Sequence, residues 1–355
     1  MPVFRTIEKY ISGNVINGAA LAVARGGELV AEWYGGTAAP GRDAAPDTLW
    51  PLACISKVYT AATVLALVEQ GELTLSMPVR AHLPAFDRDG YADIRLRHLL
   101  THTSGIPRTT PDRFAELLRA QAPLADHLAD GLAGPLLFAP GQAFTYTDHG
   151  YAVAARLAEV VTGRPFRELM LAALLKPADL HDTYFPPPPE VDDRIAAVAG
   201  VPAEGTDGAF LTSGYFRRLE YPAYGVYAGI RDLLRFGLLF GERPPARMLS
   251  AATVRCMTTD QTGGRAVGHV MPVYAAQPRP WGLGWAVRGA LGNGFEDVAS
   301  PATFMHVGAA GSILLADPRA DVTVAFASNR HVSAGTEHFV QRLSSVVSTA
   351  LAALT

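Results

Sequence analysis

Two strand–turn–strand patterns, one near each end of the 355 residues, constrain the fold of this chain more than any other feature. Near the start, the mostly apolar residues 19–24 and 29–34 flank a Gly-Gly pair, which supplies the positive φ angles of a tight turn. Near the other end, residues 312–316 and 322–327 flank a turn-like segment that contains Asp and Pro. Each pattern predicts an antiparallel hairpin.

The stretch between the hairpins has mostly helical patterns. Apolar residues recur at helical spacing over residues 55–70. A second helix is predicted over residues 149–162, with Asp148 as a candidate N-cap and Gly163 just past its end. A third helix, residues 333–351, is expected to follow the second hairpin.

Strands at both ends with helices between them predict an α/β (α+β) fold. We expect one antiparallel sheet, built from N- and C-terminal segments and flanked by helices, with a mainly helical region inserted. The matching domain prediction is a discontinuous sheet domain, residues 1–75 and 220–355, and an inserted mainly helical domain, residues 76–219.

Composition excludes several classes of partner. Apolar residues make up 49% of the chain and charged residues 18%, with a net charge of −3, so no basic surface indicates nucleic acid or a membrane. No apolar stretch approaches the roughly 20 residues that a membrane span needs. Residues 1–8 carry charges of both signs and only two cysteines are present, so we expect no secretory signal and a cytoplasmic location.

Motifs for metals and cofactors are also missing from the sequence. His98 and His102 stand four apart and could share a metal on a helix, but no Glu completes an H-E-x-x-H motif. The chain has no phosphate-binding Walker loop and no dinucleotide G-x-G-x-x-G. We therefore expect no metal and no cofactor.

The segment Cys54-Ile55-Ser56-Lys57 lies where the helix over residues 55–70 begins. Unpaired N–H groups and the helix dipole favour negative charge there, and Lys57 projects from the same face one turn later. Both effects favour the thiolate, which is the nucleophilic form of cysteine. The alternative is that Cys54 is a small buried hydrophobic residue and Lys57 a solvated one.

This segment resembles the S-x-x-K motif of the serine β-lactamase and penicillin-binding-protein superfamily, in particular its class C and esterase-like branch, with Cys in place of Ser. Three further stretches are similar to motifs of that family. They are residues 99–107 (L-L-T-H-T-S-G-I-P), residues 144–151, which contain a Y-x-D form of Y-x-N, and residues 305–311, which contain an H-x-G form of K-T-G. Together they span most of the chain and imply a β-lactamase-like fold.

The resemblance implies a role for each matching residue. Cys54 would form the acyl-enzyme, Lys57 would assist its deprotonation, and Tyr146 would be the general acid/base. His306 would donate a hydrogen bond toward the site. The alternatives are a half-buried Tyr146 whose hydroxyl is satisfied elsewhere and a structural His306 at a strand terminus. The backbone N–H groups of Cys54 and Ala309 would form the oxyanion hole.

Four further residues are candidates for substrate binding. Gly308 would let the substrate backbone approach, and Trp281 and Trp285, in a segment similar to the family's Y-G-L-G-W, would wall the acyl pocket. Core packing is the commoner role for such Trp residues. Asp148 stands where the family has Asn or Ser, and capping of the following helix is its alternative role.

The function implied is that of an acyl-enzyme hydrolase or acyltransferase, of the esterase or transacylase type, with Cys54 as nucleophile. Its partners would be a small-molecule acyl donor, namely an ester, thioester (including a carrier-bound one) or amide, and an acceptor. Two alternatives stay open at this level: a catalytically silent protein that binds a ligand in the same cleft, and a Ser-to-Cys variant of an esterase or β-lactamase.

Overall fold

The computed structural model describes residues 1–198, 213–263, 267–269, 280–289, 298–332 and 339–354. Its strands are β1 (Gly18–Arg25), β2 (Glu28–Ala39), β3 (Arg42–Asp43), β4 (Trp50–Pro51), β5 (Phe144–Thr145), β6 (Thr183–Tyr184), β7 (Tyr227–Ala228), β8 (Val267–His269), β9 (Ala286–Val287), β10 (Phe304–Gly308), β11 (Ser312–Asp317) and β12 (Val322–Ser328). Its α-helices are α1 (Pro2–Ser12), α2 (Ser56–Glu69), α3 (Leu96–Leu100), α4 (Pro111–Arg119), α5 (Leu124–Gly131), α6 (His149–Thr162), α7 (Phe166–Met170), α8 (Gly214–Arg218), α9 (Ile230–Leu238), α10 (Ala251–Thr258) and α11 (Phe339–Ala352). Short 3₁₀ segments lie at Ala53–Ile55, Val79–Ala81, Pro84–Phe86 and Pro189–Arg194, and a π-helical turn at Leu171–Leu175 continues α7.

The central sheet has seven strands in the order β3-β2-β1-β12-β11-β10-β9, and all neighbours are antiparallel. Both predicted hairpins are confirmed, as β1–β2 and β11–β12. Gly26 and Gly27 have φ angles of 64° and 85°, as a tight turn requires. The first and last hairpins join where β1 pairs with β12, so the predicted sheet of N- and C-terminal segments is confirmed.

Helices cover the centre of this sheet. Strands β11 and β12 are buried along their whole length and β1 along all but its last residue, as expected for strands with cover on both faces. Helix α9 packs on the sheet where Gly237 meets Leu314 and Thr323, and α1 packs against α11. This arrangement makes the sheet a rigid support for residues at the end of β10.

The helix that follows Cys54 is buried on nearly all sides. It was predicted over residues 55–70, and α2 spans Ser56–Glu69 after the 3₁₀ turn Ala53–Ile55. Residues 56–67 are all buried, including the polar ones, so the helix has no solvated face over these turns. Thr60 satisfies its hydroxyl by donating to the carbonyl of Pro222 at 2.7 Å.

The other predicted helices have mixed outcomes. Helix α6 matches the predicted residues 149–162, and Gly163 adopts the left-handed C-cap with φ 68°. Helix α11 supplies the last helix, while residues 333–338 of that prediction lie outside the described residues. Helices α3 to α8 all fall within residues 76–219, and the division into two domains stays a prediction. No helix in the described ranges is long and apolar enough to cross a membrane.

Candidate active site

Cys54 lies in a 3₁₀ turn just before α2, at the start of the predicted helix. Its side chain is 5% exposed. The preceding residue, Ala53, has φ 47°, a left-handed conformation that is strained for any residue with a Cβ and that clusters at functional sites. The turn is fixed on its other side, because the N–H of Leu52 donates to the carbonyl of Val226 at 2.9 Å.

Lys57 is completely buried one turn after Cys54, so the alternative of a solvated lysine is wrong. Its Nζ lies 2.7 Å from Oδ1 of Asp148 and donates to the carbonyl of Ala223 at 3.3 Å. The same ammonium lies 4.8 Å from the ring centroid of Tyr146 and 4.6 Å from that of Tyr224. The ammonium of α2 therefore contacts two phenol rings.

Asp148 occupies the N-cap position of α6, but its side chain accepts no capping hydrogen bond. One carboxylate oxygen pairs with Lys57, and the other accepts from the hydroxyl of Tyr224 at 2.5 Å. Burial alone would raise the pKa of Asp148, but the charges of Lys57 and Arg108 overcome it and hold the pKa well below its usual range. The capping role is therefore wrong, and the carboxylate is a permanent negative charge in the site.

Tyr146 is buried and follows strand β5. Its loop is held by His102, whose carbonyl accepts from the N–H of Thr145 at 2.8 Å and whose Nδ1 accepts from the N–H of Thr147 at 3.1 Å. The imidazole also lies against the phenol, with ring centroids 4.4 Å apart. Burial, followed by the charge of Lys57, lowers the pKa of His102 well below its usual value, so the ring stays neutral and Nδ1 can accept. His102 thus positions Tyr146.

His306 projects from β10 into the same cluster of rings. Its ring centroid lies 6.3 Å from that of Tyr146 and 5.6 Å from that of Trp281. Trp281 in turn lies 5.7 Å from Tyr146 and 4.9 Å from His102. The structure therefore brings His306 and Trp281 together with Tyr146, as the sequence predicts.

Gly308, at the end of β10, permits a close approach of two backbone segments. A Cβ at this position would lie 2.2 Å from the carbonyl oxygen of Leu52 and 2.3 Å from Oγ of Ser312. The close neighbour of Gly308 in the structure is the turn before Cys54, and the approach of a substrate backbone stays a prediction. Ala309 follows directly, so its backbone lies at the strand end that meets this turn.

Trp285 does not belong to the site. Its indole is fully buried, with ring centroids 5.1 Å from both Phe240 and Phe304. The prediction that it walls the acyl pocket is wrong, and the core-packing alternative holds. The five-residue segment turns sharply between its two Trp residues, and this directs Trp281 to the site and Trp285 to the core.

Comparisons with known proteins identify the family. The beta-lactamase family profile matches residues 3–344. The chain belongs to the beta-lactamase family. Among curated members, it is 30% identical over 309 residues to penicillin-binding protein 4 of Amycolatopsis lactamdurans, covering 82% of this chain and 77% of that protein. It is also 30% identical over 336 residues to esterase EstB of Burkholderia gladioli, covering 82% of this chain and 79% of EstB.

Solved structures of the same fold agree with this membership. One is EstCE1, described as a hydrolase with promiscuous acyltransferase activity, with a TM-score of 0.79 and 19% identity over 98% of this chain and 97% of EstCE1. Another is a family VIII carboxylesterase, with a TM-score of 0.78 and 22% identity over 97% of this chain and 95% of that one. The sequence-based prediction of a β-lactamase-like fold is confirmed, and the family's members include esterases and penicillin-binding proteins.

Two residues of the site, Tyr224 and Arg108, were not predicted from the sequence because they lie outside the family's motifs. Tyr224 lies in a segment that runs along α2, where the N–H of Val226 donates to Oγ of Ser56 at 3.0 Å. Arg108 follows the L-L-T-H-T-S-G-I-P segment directly, which is the only signal that could have indicated it. Burial would lower the pKa of Arg108, but the negative groups around it, Asp148 first, raise it.

Cys54 also exerts a charge effect on Tyr224. Burial and then the Asp148 carboxylate raise the pKa of Tyr224 well above its usual value, and the charge of a Cys54 thiolate raises it further. Cys54, Tyr224 and Asp148 therefore lie within electrostatic reach of each other. No cluster of three or more His, Cys, Asp or Glu that could hold a metal ion occurs in the described part of the chain.

Proposed function

We propose that the protein is an acyl-enzyme hydrolase or acyltransferase of the esterase type, with Cys54 as the nucleophile. The observation that carries the proposal is the fully buried Lys57 ammonium, which lies one turn after Cys54 and 4.8 Å from the ring of Tyr146. A buried cation beside a thiol and a phenol favours the anionic form of either. Family membership supports acyl transfer as the reaction class.

Asp148 determines which of the two candidate bases, Lys57 or Tyr146, accepts the proton in this proposal. Lys57 donates hydrogen bonds to Asp148 and to the carbonyl of Ala223, so it acts as a fixed positive charge in this proposal. Tyr146 is then the general acid/base, with the ammonium stabilising its phenolate. A cysteine needs less help from a base than a serine does, because part of the thiol is already thiolate at neutral pH.

The proposed reaction has two acyl-transfer steps. Sγ of Cys54 attacks the carbonyl carbon while its proton passes to Tyr146, and the amides of Cys54 and Ala309 stabilise the tetrahedral oxyanion. Tyr146 then returns the proton to the departing alcohol, thiol or amine, leaving a thioester on Cys54. Water or another acceptor attacks that thioester, loses its proton to Tyr146, and releases the acyl product and the thiol. His306 donates a hydrogen bond toward the reacting group.

The proposed substrates are small-molecule esters, thioesters and amides, with thioesters, including carrier-bound ones, best matched to a thiol nucleophile. Exchange between two thioesters keeps the same bond type, so the acyl-enzyme forms without a large change in free energy. The esterase EstB and the acyltransferase activity of EstCE1 support both hydrolysis and transfer as outcomes.

Free thiols at Cys54 and Cys256 support the cytosol as the compartment in which the protein works.

Intact-protein mass spectrometry with an activated ester and an activated thioester tests the proposal. We expect one acyl adduct, lost in Cys54→Ala and kept in Cys256→Ala. The second variant is a matched control, since Cys256 is exposed on α10. Adducts that do not depend on Cys54, or no adduct at all, would contradict a nucleophilic Cys54 and favour a protein that only binds ligands in the cleft.

A further inference from the structure

Arg108 is the charged residue near the site that the proposed mechanism does not use. Its neighbours in the chain are tied to the loop that carries Tyr146. Oγ1 of Thr147 donates to the carbonyl of Pro107 at 3.5 Å, and Oγ1 of Thr109 hydrogen-bonds Nε2 of His149 at 2.9 Å. Arg108 is therefore held beside the residues that flank the phenol and the carboxylate of the site.

The guanidinium is half-buried and close enough to the reacting groups to act on them electrically. Asp148, Tyr224, Tyr146 and Cys54 all exert a charge effect on it, in that order. A group that contacts Arg108 would consequently lie in the same cleft as a carbonyl carbon attacked by Cys54. This proximity suits a substituent of the acyl chain better than a distant carrier.

Arg108 has no carboxylate partner among the residues that the structure describes. Lys57 pairs with Asp148 at 2.7 Å, whereas no ion pair within 4.0 Å involves Arg108 in the described ranges. While Tyr146 and Cys54 are protonated, Lys57, Arg108 and Asp148 carry a net charge of +1. Withdrawing a cation from water without a partner is unfavourable. A planar guanidinium forms two parallel hydrogen bonds with a carboxylate, so a bound carboxylate would complete the site.

We propose that Arg108 forms an anion subsite of the acyl pocket, which selects acyl donors that carry a carboxylate on a short acyl chain. This inference rests on the proposed role of Cys54 as nucleophile. The subsite would confer specificity, and Arg108 would take no part in bond breaking.

Alkylation of Cys54 tests the subsite without requiring turnover. Iodoacetate and iodoacetamide react alike, since the thiolate sulfur displaces iodide and forms an S–C bond, but only iodoacetate carries a carboxylate. The measurement uses the Cys256→Ser background and follows the Cys54 peptide by mass spectrometry. We expect Arg108→Gln to lower the ratio of the iodoacetate rate to the iodoacetamide rate roughly tenfold, as for loss of a charge-assisted hydrogen bond. The ratio is the readout because any effect of the Arg108 charge on the Cys54 thiolate itself is common to both reagents.

Two further variants sharpen the result. Arg108→Lys should retain part of the preference for iodoacetate, because it keeps the positive charge but cannot form two parallel hydrogen bonds with a carboxylate. Arg119→Gln, at the exposed end of α4, removes the same charge and should leave both rates unchanged. Equal losses with both reagents, or an unchanged ratio, would overturn the subsite and leave Arg108 as a balance for Asp148 or the thiolate.

Turnover then separates this inference from the proposed function. With 4-nitrophenyl hydrogen glutarate and 4-nitrophenyl butyrate, Arg108→Gln should lower kcat/KM roughly tenfold more for the first ester than for the second. If the wild-type protein turns over neither ester, the proposed function fails, and the alkylation ratio still decides the role of Arg108. If Arg108→Gln affects both esters equally, the subsite fails and the proposed function stands.

Discussion

At the residue scale, the ion pair between Lys57 and Asp148 distinguishes this site from the Y-x-N pattern that it resembles. The sequence identified both residues by their motifs but could not place the carboxylate on the lysine. That placement depends on residues 222–226, which bring Tyr224 against Asp148 and carry no motif. Side chains fixed by long-range contacts leave no local pattern, and for the same reason Arg108 went unnoticed.

Asp148→Asn should destabilise the protein, because it leaves the buried Lys57 ammonium without a counter-charge. We expect a loss of roughly 3 kcal/mol in the free energy of unfolding in urea at pH 7, as for one partner of a buried pair. The pKa of Asp148 is lower in the folded than in the unfolded protein, so its stabilisation is present above about pH 4 and is lost as the pH falls further. Tyr224→Phe, which removes only a hydrogen bond to Asp148, should cost about 1 kcal/mol. Equal losses in the two variants would argue against a charge effect.

Cys54→Ser should lower kcat/KM for a thioester roughly 100-fold or more, because a hydroxyl needs a strong base and Lys57 is committed to Asp148. Adding Asp148→Asn restores both residues of the family pattern, and the double variant should regain part of the activity. Steady-state hydrolysis of a thioester and an ester measures both effects. A large gain in the single Ser variant would instead indicate that Cys54 disables a serine enzyme.

At the scale of elements, the end of β10 and the turn before Cys54 behave as one unit. Their closeness depends on Gly308, because any side chain there would overlap the carbonyl of Leu52.

The sequence predicted the hairpins and α6 well, since apolar patterns and caps are local. The 3₁₀ turn at Ala53–Ile55 was not predictable, because the positive φ of Ala53 is imposed by its surroundings. Two-residue strands such as β4 and β9 are too short to show alternation.

Gly308→Ala tests this unit. The added Cβ meets backbone, which cannot move aside as a flexible side chain can, so we expect a loss of about 2 kcal/mol or more in the free energy of unfolding. Cys54 should also react more slowly with iodoacetamide, since its turn is displaced. Gly134→Ala is the matched control, because a Cβ there meets nothing within 4 Å. Comparable losses at both glycines would show that the strand end tolerates the methyl group.

At the scale of the whole molecule, several histidines are buried and neutral. Burial lowers the pKa of His102 and His149, and lowers that of His127 and His331 to about 4. The sequence could count ten histidines but could not tell which are buried, because burial is decided by packing between distant segments.

Stability should therefore fall as the pH drops from about 6.5 to 4. The unfolded chain binds protons in this window that the folded protein does not, so each such histidine costs up to about 1.4 kcal/mol per pH unit. Urea unfolding at half-unit intervals of pH measures how steeply the free energy of unfolding changes with pH. His127→Gln should lower the number of protons taken up on unfolding by one. A flat stability profile over this window would contradict the assignment of neutral buried histidines.

The pairing of β1 with β12 has a consequence for biosynthesis. The N–H of Gly18 is satisfied by Asn329, 311 residues further along the chain. During translation the first hairpin therefore emerges with an apolar, unpaired edge that no later strand can cover until synthesis is almost finished. We expect ribosome-bound chains that stop short of β12 to recruit chaperones or aggregate.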